Sequence, residues 1–141
     1  MKLFIQTLLA STLLACASIG SAADLHVKVE GVKSSNGKLT VALYSSADIY
    51  LKTPTHRASA AATEGVTLVV FKDIAPGDYA LSGYHDENEN DKIDRESMGI
   101  PTEPYGFGNG ASGAMGPPPF EKARVSVPAS GATTTLTVKR E

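Results

Sequence analysis

Residues 85–94 read HDENENDKID. Asp86, Asn88 and Asn90 stand two apart, Lys92 and Ile93 follow, and Asp94 closes the run. This is the order of the first nine positions of a calcium-binding loop. Side-chain oxygens fall at the first, third and fifth positions, a main-chain carbonyl (Lys92) at the seventh, an aliphatic residue at the eighth and an oxygen at the ninth. The spacing has a physical reason. A tight loop turns alternate side-chain oxygens toward one centre, and a hard cation accepts about six to eight of them. Without a cation the same carboxylates repel one another. The chemistry that Asp86, Asn88, Asn90, Lys92 and Asp94 point to is therefore calcium binding.

Two positions depart from the pattern. The sixth is normally glycine, because the turn there is sharp and favours positive φ; here it is Asp91. The twelfth is normally a bidentate glutamate; here it is Ser97, with Glu96 one place early. Glu103, or a carbonyl further along, is the candidate to replace it. The residues before Asp86 read as strand, so this is not a helix–loop–helix site. The alternative is a metal-free turn, since Asp and Asn cap turns through their own side chains.

The neighbours of the run are partner-binding candidates. His85 is a candidate hydrogen-bond donor to one of the loop's ligands or a ligand for a softer metal, or else a strand-end residue with an ordinary hydrogen bond. Met98 to Pro119 holds six Gly and five Pro in 22 residues. Loops this long are usually functional or disordered. Tyr105 and Phe107 stand inside it, so it is either a cover packed over one open end of the core or a ligand-contacting edge. With Glu103, these make His85, Glu103, Tyr105 and Phe107 the residues for a protein or envelope ligand. His26 and His56 are scattered, and no zinc set or Ser-His-Asp or Cys-His spacing can be assembled. The reading is a non-enzymatic module. A hydrolase using Asp86, His85 and Glu103 is the alternative.

The elements that must position these residues are strands. Leu25, Val27 and Val29 alternate with polar residues, as do Leu39, Val41 and Leu43. Asn36-Gly37 between them predicts a hairpin. Ser46–Lys52 is expected to make one or two helical turns before Pro54, and Thr53–Gly65 a crossover. Val66–Phe71, apolar on both faces, predicts a central strand. Tyr79–Tyr84, Phe120–Val127 and the stretch through Leu136 and Val138 complete the set. The fold class is all-β: one antiparallel β-sandwich of about six or seven strands, one short helix and a long Gly/Pro-rich loop.

The N-terminus is expected to be a leader. Lys2 is followed by the mostly apolar Leu3–Leu14 and by Gly20-Ser21-Ala22, a small-residue cleavage site. Residues 1–22 thus read as a signal peptide and 24–141 as a single domain, exported to the periplasm or beyond. Leu13-Leu14-Ala15-Cys16 also resembles a lipobox, so a lipid anchor at Cys16 is the alternative. Cys16 is the one cysteine, so the fold has no disulfide. The apolar stretch is too short for a transmembrane helix. Charge is uneven: residues 86–96 carry six acids against Lys92 and Arg95. No basic patch suggests nucleic acid.

VALYSS, GDYALSGYHDENENDKID, GIPTEPYGFGN and GPPPFEKA, in that order, resemble a family of exported bacterial proteins known as domain of unknown function 2141. The resemblance runs from about Leu25 to Val138. The family pattern usually has Gly at Asp91, Ser at Gly108 and Ser at Pro119. It implies no activity. Its strands and the PGDYAL phrase are similar to transthyretin-like and collagen-adhesin B-type sandwiches, which implies the same fold and no substrate.

Overall fold

The computed structural model describes residues 22–114 and 116–140. The expected leader, except Ala22, lies outside them with Cys16. Eight strands form two sheets. β1 (Ala23–Val32), β4 (Gly65–Ile74) and β8 (Ala132–Thr137) make one, in the order β4-β1-β8. β2 (Lys38–Tyr44), β3 (His56–Ala61), β5 (Gly77–Asp86) and β6 (Tyr105–Phe107) make the other, in the order β3-β2-β5-β6. β7 (Arg124–Val127) pairs with the first half of β5. The fold is an all-β sandwich. One pairing departs from the antiparallel expectation: β8 lies parallel to β1.

The core lies between the sheets. Leu25, Val27 and Val29 of β1, Val69 and Phe71 of β4, Leu39, Val41 and Leu43 of β2, Leu81 of β5 and Leu136 of β8 bury their side chains together. At about 25 cal/mol per Å² of apolar surface, this layer is the main favourable contribution to folding.

Four expectations are corrected. β1 and β2 do not form a hairpin; the Asn36-Gly37 turn carries the chain from one sheet to the other. Gly37 sits at φ 68°, and a Cβ there would lie 2.0 Å from the carbonyl oxygen of Asp86. The turn is therefore packed beneath the acidic loop. The segment 53–65 is not merely a crossover, because His56–Ala61 forms edge strand β3 against β2. Its small side chains hid the alternation. β4 is an edge strand, not a central one: Val66 and Leu68 are about half exposed. The strand covered on both faces is β2, where Leu39, Val41 and Leu43 meet the core and Thr40, Ala42 and Tyr44 are buried on the other side.

The fourth correction concerns helix. Residues 47–52 make only turns, with Leu51 at φ 57°. The short helix is α1 (Phe120–Ala123), which the alternation through Phe120 did not suggest. These two segments nonetheless meet. Ile49, Tyr50, Phe107 and Phe120 pack on Ala42, Tyr44, Ala80 and Ala123, a small second core on the outer face of the β2/β5 sheet. The Tyr50 ring sits edge-on between those of Tyr44 and Phe120.

Candidate functional site

β5 delivers His85 and Asp86 to the end of the sandwich, both buried, and the chain turns there. A strand that ends inside the fold leaves main-chain N–H groups that need acceptors. Asp86 supplies them. Its Oδ1 accepts the N–H of Asn90 at 3.2 Å, and its Oδ2 that of Asp91 at 2.9 Å. Asn88 Oδ1 also accepts from the Asn90 N–H, and Asn90 Oδ1 accepts from the Lys92 N–H. Glu89 and Asp91 adopt positive φ, 54° and 64°, as the tight loop requires.

The spacing of two brings the expected side chains together. Asn88 Nδ2 donates to Asp94 Oδ2 and Asn90 Nδ2 to Asp94 Oδ1, each at 2.6 Å. The Asp94 carboxyl is held below the usual aspartate range, chiefly by these two amides. Lys92 enters the loop through its main-chain N–H, which donates to Asn90 Oδ1. Among the described residues no group of three or more His, Cys, Asp or Glu side chains is arranged to hold a metal. The convergent set here mixes carboxylates with carboxamides.

Glu103 lies where the tail returns. It is 5% exposed, and its carboxylate accepts the N–H of Glu87 at 2.8 Å and that of Asp94 at 2.9 Å. The return is possible because residues 94–102 fold back on themselves. The Thr102 N–H donates to the Asp94 carbonyl, Arg95 bridges Pro101, and Gly99, at φ 79°, makes the turn.

His85 is not part of this cluster. Its Nε2 lies 2.5 Å from the Asn36 carbonyl oxygen, while Nδ1 is buried without a hydrogen-bond partner. Among the described residues no hydrogen bond joins it to Glu103. Tyr105 and Phe107 do not cap an open end of the sandwich. They form β6 and extend the sheet, with Tyr84 opposite Tyr105 and Ser82 opposite Phe107. Gly83 and Gly106 pair between them. A Cβ on Gly106 would sit 2.0 Å from the Thr137 carbonyl oxygen, so the glycines face the core and the flanking side chains face out.

Two residues that clamp the loop carried no sequence signal. Lys38 of β2 forms an ion pair with the Asp91 carboxylate, and Arg57 of β3 donates to the Asp91 carbonyl and the Tyr84 hydroxyl at 3.0 Å each. The Asp91 carboxyl is held low by Lys38, and the Lys38 ammonium is raised by Asp91. Asp91, unusual for the sixth position of such a loop, thus acts as its anchor to the sheet.

The family described as "Uncharacterized protein conserved in bacteria (DUF2141)" matches residues 27–136, which include every strand residue of the loop's supports. The chain belongs to this family. Membership covers the whole loop, its return through Glu103 and β6. No curated protein and no solved structure matches the chain. Among the described residues no helix is long and apolar enough to cross a membrane.

Proposed function

We propose that this family member is an exported, non-enzymatic β-sandwich module that binds calcium through the Asp86–Asp94 loop, with Glu103 closing the site. The observation that carries the reading is the convergence of Asn88 and Asn90 on the Asp94 carboxylate, with Glu103 held on the Asp94 main-chain N–H. Oxygens from the two carboxamides, reached by amide rotation, would join the carboxylates around one hard cation. The cation would offset the negative charge of the loop's carboxylates and pin the tail beside the loop. Export is supported by the leader-like residues 1–22.

A second reading is supported by the hydrogen bonds themselves. Asp86 and Glu103 already take two main-chain N–H groups each. In that reading the loop is a metal-free turn and the protein an accessory envelope module.

Calorimetric titration of the mature protein with calcium separates the two. Asp94→Asn is the informative control, because Asp86→Ala would also strip acceptors from the loop's main chain. Saturable binding lost in Asp94→Asn supports the calcium module. A site filled to about 100 times its Kd adds about 2.7 kcal/mol, seen as a higher Tm. No heat and no Tm shift would leave the metal-free turn.

A further inference from the structure

The outer face of the β2/β5/β6 sheet carries a cleft of about 570 Å³. Its floor is aromatic: Tyr44, Tyr84, Tyr105 and Phe107. Three of the five large apolar residues that are exposed among the described residues line it: Leu51, Ile100 and Met98, the last 86% exposed. A methionine that far into water, beside an aromatic floor, is apolar surface left uncovered. The volume is that of a small-molecule site, and such sites are mostly apolar with a few placed polar groups.

The charge of the lining narrows the ligand. Among the described residues lining the cleft, Arg95 is the one that is charged and none is a carboxylate. Arg95 has no ion-pair partner among the described residues; one N–H goes to the Gly99 carbonyl. A guanidinium offers five donors in a fork that matches a carboxylate. A smaller recess of about 230 Å³ shares Tyr44, Ser82, Tyr84 and Ile93 with the cleft and adds Lys52, Arg57 and Lys92. One acid, Asp91, stands there, already paired with Lys38. The cleft and its extension are thus apolar in the middle and cationic at the margins, in a chain of net charge −2.

We propose that this cleft binds a free amphipathic carboxylate, its apolar body over Tyr84, Tyr105 and Phe107 and its head on Arg95. The inference stands on the cleft alone and does not require calcium in the loop.

Decanoate and decanol, which differ in the charged head, test it by calorimetry on the mature protein. Decanoate binds saturably, about tenfold more tightly than decanol, the size of one charge-assisted hydrogen bond. Arg95→Gln removes that gap by weakening decanoate alone. Met98→Glu weakens decanoate further; both residues are exposed, so the fold is retained. Leu68→Ser, on the opposite sheet, changes nothing. The proposal is overturned if decanoate fails to saturate, if decanol binds equally well, if Arg95→Gln is silent, or if Leu68→Ser abolishes binding. Binding to phosphatidylglycerol vesicles without binding of decanoate would also overturn it, and would mark the cleft as a membrane-lipid contact.

Discussion

Glu103 Oε1 accepts the main-chain N–H of Asp94 at 2.9 Å, and the eight residues between them form the turn that brings the tail home. The other oxygen accepts from Glu87. A carboxylate only accepts, so it suits two N–H donors at once. In Glu103→Gln one oxygen becomes an NH₂ facing a donor. A buried N–H left unsatisfied costs about 1–3 kcal/mol. The expected outcome is a lower urea midpoint with unchanged slope, and faster proteolysis within residues 98–119. An unchanged midpoint would mean that the tail is held by its aromatic packing instead.

Gly106 and Gly83 face each other across β5 and β6, but their tolerance differs. A Cβ on Gly106 meets the Thr137 carbonyl oxygen at 2.0 Å, whereas one on Gly83 meets the Leu136 and Val41 methyls at 3.2–3.3 Å. Backbone cannot yield as a side chain can. Gly106→Ala should destabilise by about 1–3 kcal/mol or more, and Gly83→Ala by clearly less. Urea denaturation of the two variants checks the order; the reverse order would contradict the β6 register.

How much of this was legible follows from the range of each interaction. The convergence of Asn88, Asn90 and Asp94 is local, so spacing alone disclosed it. The alternation in Leu25–Val29 and Leu39–Leu43 disclosed two strands for the same reason. Which sheet each strand joins was hidden, because Asn36-Gly37 marks a turn without naming its partners. Val66–Phe71 read as central because its outward residues are apolar, yet among the described residues Val66 and Leu68 stay about half exposed. Lys38 and Arg57 lie 53 and 34 residues from Asp91, beyond the reach of any spacing argument. Glu103 was within reach only as a candidate, since its role depends on a turn at Gly99.

The Lys38–Asp91 pair makes a salt- and pH-dependent prediction. Asp91 is exposed and Lys38 partly so, and the pair is therefore worth little in strong salt. Asp91→Gly removes the pair but also relieves a non-glycine residue at φ 64°. The wild type should melt higher at low ionic strength, and the gap should close or reverse at high salt. The Asp91 carboxyl is held low in the fold. Its contribution is therefore complete above the unfolded value of about 3.9 and is lost as pH falls through the lowered folded value. Melting curves of both proteins across that acid range and across salt check this. A gap indifferent to salt would mean that backbone geometry, not charge, fixes the loop.

Tyr50 joins the tail to the turn at 47–52. Its hydroxyl donates to the Pro118 carbonyl at 2.9 Å, and its phenol is pushed up to about 12, first by burial and then by Tyr44. The unfolded chain ionises near 10. Between those values the unfolded state has lost a proton that the folded state keeps, so stability falls as pH rises from about 10 and levels beyond 12. Tyr84, also raised by burial, acts with the same sign. Tyr50→Phe keeps the ring contacts with Tyr44 and Phe120 but loses the bond to Pro118, costing about 0.5–1.5 kcal/mol at neutral pH. Its alkaline loss of stability should be shallower than that of the wild type, with the remainder due to Tyr84. Thermal melts from neutral to strongly alkaline pH, with phenolate absorbance followed in parallel, check both effects. Superimposable alkaline curves for the two proteins would show that the Tyr50 hydroxyl does not anchor the Gly116–Pro119 segment.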